Sequence, residues 1–307
     1  MDKSTLCKEC GFNSLPKSLD VSFDEVTGVL RLHLNDKSVC DNMQTNNSAF
    51  EGWMFCILSK LKCGNWKYAE LDWSVPDNID NGHYNRFLYR VIKMQQHYKW
   101  FRIPTDKQKI IDNFKKEYLD SNILVLNTPN NEAADVNNVK SESYFESVFY
   151  HDKILLNDYN LSVVNRQLPV GVFKEKVSSH SYLFTGGKSA IDLWGINDSE
   201  LYIFELKFKN KMVGIITETL FYQWIIEDVI FNKHIRLGEK TPKREYNKLH
   251  EAISNNKIKK IIAVFLIDEI HPQIDNAVIS LINDLDASPY LEVQMRKYQE
   301  HTTVKLV

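Results

Sequence analysis

Residues 188–209, KSAIDLWGINDSELYIFELKFK, read as two β-strands joined by a turn. The polar run Asn197-Asp198-Ser199-Glu200 separates two runs of apolar, β-branched and aromatic residues, which is the composition of a hairpin. Symmetric closure sets Ile196 opposite Leu201, and the same register sets Asp192 opposite Glu205. Opposed side chains of an antiparallel pair lie ~5 Å apart at Cβ. Glu205 and Lys207 are two positions apart on one strand and so point the same way. Leu201 and Ile203 share their face, while Tyr202, Phe204, Leu206 and Phe208 fill the other. A strand apolar on both faces is a central one, covered by helices. Two carboxylates and a lysine are therefore expected together in a partly buried place.

Two carboxylates this close repel each other unless a proton or a cation lies between them, and their oxygens suit hard Mg²⁺ or Mn²⁺. A cation so held keeps several waters, activates one of them and neutralises a phosphate, while a neighbouring lysine stabilises the attacking hydroxide or the developing charge. That is machinery for phosphodiester hydrolysis. Asp192, followed on the next strand by Glu205-Leu206-Lys207, resembles the signature of the PD-(D/E)xK nuclease superfamily, and the resemblance covers about residues 141–270. It implies an α/β fold with a restriction-endonuclease-like αβββαβ core, a central mixed sheet flanked by helices.

The order of elements fits that expectation. Ser143 to about Leu156 has helical apolar periodicity and carries Glu142 and Glu146 on nearly one face; Arg166–Phe173 is extended and leads through Gly186-Gly187 to the Asp192 strand. Val213–Phe231 is apolar nearly all round, the pattern of a buried helix, and Ile261–Ile267 reads as a buried strand parallel to its neighbour. The resemblance implies Asp192 and Glu205 as metal ligands, Glu146 on the first helix as a further ligand, and Lys207 as the group that positions or stabilises the attacking water. RecB-type relatives carry Gln-x-x-x-Tyr on the equivalent of the buried helix; here Glu218 and Tyr222 hold that spacing, with Gln223 after the tyrosine. Ile191 stands where the literal motif has proline. DNA rather than RNA is the substrate implied, in a restriction or phage-defence setting. The competing readings are a structural ion-pair network across two strands and a non-catalytic nucleic-acid-binding or assembly protein built on the same core. Two buried acids facing one lysine leave one charge uncompensated, which argues for a metal.

A net charge of −2 over 307 residues does not mark a nucleic-acid-binding protein, but its distribution is uneven. Residues 86–116 hold nine Lys/Arg (Arg86, Arg90, Lys93, Lys99, Arg102, Lys107, Lys109, Lys115, Lys116) against Asp106 and Asp112, interleaved with Tyr84, Phe87, Tyr89, Tyr98, Trp100 and Phe101. Cations would track phosphates and aromatics stack on bases, although Phe87, Leu88, Val91 and Ile92 have the spacing of a core helix face. Lys233–Lys260 holds nine more Lys/Arg against Glu239, Glu245 and Glu251, and Lys240, Lys243, Arg244 and Lys248 are its candidate nucleic-acid contacts.

Cys7 and Cys10 form half of a zinc knuckle, with no second Cys or His pair at suitable spacing; Cys40, Cys56 and Cys63 complete the set, Cys56 in an amphipathic helical run. No uncharged apolar stretch reaches ~18 residues, and no basic segment followed by an apolar one opens the chain, so no membrane partner and a reduced, cytoplasmic location are expected. The length implies two domains. Residues 1–126 read as an N-terminal α+β domain for recognition or partner binding: a hairpin over Leu19–Phe23 and Val29–Leu34, helices near 49–61, 84–100 and 105–119, and a strand Ile123–Leu126. Residues 127–140 are a polar, Asn-rich linker, and 141–307 the nuclease-like domain, ending in a helix over Ile274–Leu285 and a hairpin of Leu291–Tyr298 with Thr302–Leu306. Homodimerisation and a partner protein both remain open.

Overall fold

The computed structural model describes residues 1–61, 66–120, 123–135, 141–184, 189–286, 288–300 and 304–306. Cys63, Gly186-Gly187, Thr302 and the end of the expected linker, 136–140, lie outside the described residues. Those described form ten α-helices and three mixed sheets, an α/β architecture. The chain divides into two compact units, each built from separate stretches. Unit 1 comprises Met1–Ser121, Met212–Glu218 and His271–Ser288; unit 2 comprises Asn122–Lys211, Thr219–Ile270 and Pro289–Val307.

Unit 1 opens with α1 (Lys3–Cys10), β1 (Leu19–Asp24), β2 (Val29–Leu34), α2 (Asp36–Val39), α3 (Phe50–Lys60), β3 (Tyr68–Trp73), α4 (Gly82–His97), β4 (Phe101–Arg102) and α5 (Thr105–Phe114). Leu19, Val21 and Phe23 alternate inward along β1, as a half-buried strand requires. The sheet runs β1-β2-β3-β4, with the expected antiparallel hairpin first and the remaining pairs parallel. α4 departs from a basic surface helix. Phe87, Leu88, Val91 and Ile92 are buried, but so are Arg86, Arg90 and Lys93. Arg90 is only 1 % exposed and is held in place: Nε donates to Glu51 Oε1 at 2.7 Å, Nη2 donates to the Ser48 carbonyl at 2.7 Å, and the guanidinium lies over the Phe50 ring. Thr217 Oγ1 donates to the other Glu51 oxygen at 3.0 Å. Burial pushes the Glu51 carboxyl above its ordinary value, with Arg90 opposing. A charge that cannot reach water must be paired in this way.

The second unit continues with β5 (Leu124–Leu126), α6 (Glu142–His151), α7 (Ile154–Asp158), β6 (Val163–Pro169), β7 (Val172–Lys174), β8 (Ala190–Asn197), β9 (Glu200–Lys207), α8 (Gly214–Ile230), β10 (Ile235–Arg236), α9 (Tyr246–Ser254) and β11 (Lys260–Ile267); α10 (Asn276–Ile282) then falls in unit 1, and β12 (Leu291–Glu300) and β13 (Val304–Leu306) close unit 2. Its main sheet has the order β13-β12-β11-β9-β8-β6, with β9-β11-β12 parallel and the other neighbours antiparallel. Phe145, Phe149 and Leu155 of the helices pack with Leu193, Phe204, Leu206, Val264 and Leu266 of the sheet in one apolar core. Gly195 on β8 is required by close approach, since a Cβ there would sit 2.7 Å from the Val163 carbonyl oxygen.

Several boundaries differ from the sequence expectations. The first helix is two, because Lys153 takes a left-handed conformation (φ 55°) between α6 and α7. The single strand expected over Arg166–Phe173 divides at Val170-Gly171, and β7 leaves the main sheet to pair with β5 in a second one, β10-β5-β7. Leu124–Leu126 therefore belongs to unit 2. The described part of the expected linker is also held there: Asn127 Oδ1 accepts from the Gly171 N–H at 2.9 Å, and Arg166 Nη2 donates to the Ala133 carbonyl and the Asp135 carboxylate.

Candidate functional site

The turn Asp198-Ser199 closes the hairpin of β8 and β9 with Asn197 opposite Glu200 and Ile196 opposite Leu201, and the ladder continues in that register to Leu193 opposite Phe204. There it ends. The next row on the register holds Asp192 and Glu205, and instead of a backbone pair the Asp192 carboxylate reaches over: its Oδ2 accepts the Leu206 N–H at 2.9 Å. The other neighbour of β8 opens at the same place. Arg166 pairs with Leu193 and Leu168 with Ile191, while Gln167 and Asp192 between them are skipped. Gln167 has φ 54°, a left-handed conformation costly for a residue with a Cβ, and its carbonyl accepts from Arg244 Nη1. Asp192 is thus released from both ladders and left partly exposed.

Lys207, 8 % exposed, points toward acids on two elements. Its Nζ donates to Glu205 Oε1 at 2.5 Å and lies 3.8 Å from Glu142 Oε2. Glu142 also accepts the Phe208 N–H at 3.4 Å. One turn along α6, Glu146 is buried and accepts from Gln167 Nε2 at 2.6 Å. Burial pushes the Glu146 carboxyl above its ordinary value and Glu142 adds to that, while Gln167, Arg166 and Lys207 pull it down. Three β-strands and a helix so deliver Gln167, Asp192, Glu205, Lys207, Glu142 and Glu146 to one region of unit 2. Sequence reading missed the roles of Gln167 and Glu142. Carrying the β6–β8 register one row further would have found Gln167, and the one-turn spacing of Glu142 from Glu146 was visible on the helix face.

Among the described residues, no three His, Cys, Asp or Glu side chains are grouped as a complete metal centre. The set that suits a hard cation is therefore the two carboxylates of Asp192 and Glu205 with water completing the shell, an arrangement Mg²⁺ accepts. Glu146, expected as a third ligand, is turned to Gln167 instead.

The remaining candidates fall elsewhere. Glu218 belongs to unit 1, where Gln44 Nε2 donates to its Oε1; Tyr222, one turn on, is buried in unit 2. Gln223 fastens α8 to the main sheet, donating to the carbonyls of Ile261 (3.2 Å) and Glu292 (2.9 Å). The four basic residues proposed to face a polyanion already have local partners: Lys240 with Glu251 at 2.9 Å, Lys248 with Glu245 at 2.6 Å, Lys243 with the Asn130 carbonyl, and Arg244 with the carbonyls of Asn131 and Gln167.

The raised carboxyl of Glu146 has a thermodynamic consequence. Its protonated form is favoured in the fold, so stability is full below the unfolded-state value (~4.3) and falls as pH rises through the raised one. Glu146→Gln keeps an oxygen to accept from Gln167 and carries no charge. It is expected to gain stability over the wild type as pH rises from 4 to 7, by on the order of 1 kcal/mol. Chemical denaturation across that range measures it, and a Gln variant that loses ground with rising pH would contradict the burial account.

Compared with family models, with characterised proteins and with solved structures, the chain has no match in any of the three.

Proposed function

We propose that the protein is a metal-dependent nuclease that hydrolyses phosphodiester bonds, with DNA as the first substrate to test. The observation that carries this reading is the row at the end of the β8–β9 ladder, where the partly exposed Asp192 carboxylate sits against the Glu205-Leu206 peptide and Lys207 beside Glu205. The order α6, β6, β8, β9, α8, β11, with β11 parallel to β9, supports the restriction-endonuclease-like αβββαβ core and the PD-(D/E)xK resemblance. Asp192 and Glu205 would hold Mg²⁺ or Mn²⁺, which when bound supplies a Lewis acid for the phosphate and lowers the pKa of its water.

The chain's own groups do the rest. Lys207, steadied between Glu205 and Glu142, offers N–H donors to an attacking water or to a non-bridging phosphate oxygen. Asp192, braced by the Leu206 N–H, is partly exposed, as a ligand to a hydrated cation must be. On the β6 side Gln167 links the site to α6 through Glu146, and its carbonyl is held by Arg244.

The non-catalytic alternative draws support from the burial of the Lys207–Glu205 pair, 8 % and 3 % exposed, which resembles a structural ion pair. Incubation with supercoiled, linear and single-stranded DNA and with RNA, in Mg²⁺, Mn²⁺ or EDTA, separates them. Cleavage of at least one polynucleotide that EDTA abolishes is expected. Retained binding with no cleavage in either metal would favour the scaffold reading.

A further inference from the structure

On the sheet of unit 1, β2 and β3 run parallel with His33 opposite Asp72, and Ser74 follows two positions after Asp72 on the same face. The Ser74 N–H donates to the Leu34 carbonyl at 2.9 Å, which continues the pairing past the end of β3 and fixes the serine beside the histidine. The imidazole lies between the two side chains: Nδ1 is 3.1 Å from Asp72 Oδ2 and Nε2 is 3.1 Å from Ser74 Oγ. A carboxylate only accepts, so the contact with Asp72 calls for a hydrogen on Nδ1, and in that neutral tautomer Nε2 is the acceptor for the serine hydroxyl. The other Asp72 oxygen accepts the Trp73 N–H at 2.8 Å and lies 3.4 Å from Lys107 Nζ, so the carboxylate is oriented from behind.

We propose that Ser74, His33 and Asp72 form a nucleophilic relay, and that unit 1 carries a second, hydrolytic site for small carboxylic esters. The roles follow from which atom faces which. Ser74 Oγ bonds to the acyl carbon as its proton passes to His33 Nε2. The C–O bond to the leaving alcohol then breaks, and the alcohol takes the proton from Nε2. In the second half a water gives a proton to Nε2 while its oxygen bonds to the acyl carbon; the bond from that carbon to Ser74 Oγ breaks and the proton returns to the serine. The sum is ester plus water giving acid plus alcohol, and no other reactant is needed.

Two further features agree. Among the described residues, the N–H of Val75, the peptide that follows the nucleophile, takes part in no backbone hydrogen bond, and that peptide is where acyl-transfer sites place an oxyanion donor. Val75 (43 %) and Ile79 (63 %) are exposed apolar side chains in the same connection, suited to rest against a short acyl group. The histidine and aspartate side chains are 38 % and 42 % exposed, so water screens the imidazolium that forms. Such a site handles activated esters and does so slowly.

The site involves no residue of unit 2, and its test is separate from the nuclease test. The intact chain is treated with a fluorophosphonate, the adduct is mapped by peptide mass, and p-nitrophenyl acetate turnover is followed in parallel. One phosphonate on Ser74 is expected. Its rate of formation should fall at least tenfold in His33→Gln and severalfold in Asp72→Asn, and EDTA should leave it unchanged. Ester turnover should fall with it. No adduct on Ser74 in the wild type, or a labelling rate that His33→Gln leaves intact in a folded variant, overturns the proposal; the wild-type map decides even if a variant fails to fold.

Discussion

Asp192→Ala is expected to lower metal-dependent polynucleotide cleavage by at least about 10³-fold, ~4 kcal/mol of barrier, and to weaken Mn²⁺ binding in a calorimetric titration. The size follows from its place at the end of the ladder: it is the partly exposed member of the carboxylate pair, and without it a cation would have one carboxylate to hold it. Glu205→Ala should be as damaging and should also unseat Lys207, whose nearest acid it is. Lys207→Ala should leave Mn²⁺ binding in place and lose ~3 kcal/mol or more of transition-state stabilisation, seen in single-turnover rates. Asp192→Asn separates chemistry from folding, because an amide oxygen still accepts the Leu206 N–H. Cleavage at the wild-type rate by Asp192→Ala would end the assignment of this residue.

Arg90→Ala is expected to cost about 3–5 kcal/mol of stability, the largest effect on the fold among single substitutions considered. The guanidinium is the one cation hydrogen-bonded to Glu51 among the described residues; removing it leaves a fully buried carboxylate with the Thr217 hydroxyl and a void between Phe50 and Phe87. The double variant Glu51→Gln/Arg90→Met should recover much of the loss, since no charge is then stranded. Urea unfolding of the three proteins gives the comparison, and a cost below about 1 kcal/mol for Arg90→Ala would mean that water reaches the pair.

Legibility from sequence was uneven for identifiable reasons. The β8–β9 register could be read because Asn197–Glu200 is a compact polar turn between strands with few ways to slip, and a one-residue shift would move every side chain to the other face. The fully buried helix α8 and strand β11 announced themselves by apolar residues on all sides. The burial of Arg90 was hidden, because a basic residue on a helix reads as solvated until the acid that pairs with it, here Glu51 from a distant helix, is known. Gln167 was hidden for another reason: its left-handed backbone goes with a hydrogen bond from Arg244, far along the chain, and nothing local in Arg166-Gln167-Leu168 signals it. Likewise the return of Met212–Glu218 and His271–Ser288 to unit 1 depends on which apolar faces meet, and periodicity gives a face without naming its partner.

That return also bears on how the protein comes into being. Tyr98 donates to the Ile282 carbonyl, Lys60 pairs with Asp275 and Glu51 with Thr217, so unit 1 lacks parts of its interior until the ribosome has delivered residue 288. At about 5–20 residues per second, roughly 10–30 s pass between the emergence of the first stretch of unit 1 and its completion. Through that interval Trp53 and Tyr98 are without His271 and the Ile282 carbonyl, which they meet in the folded unit. For the same reason, a fragment ending near residue 126 should yield aggregates, whereas the 307-residue chain should yield folded protein.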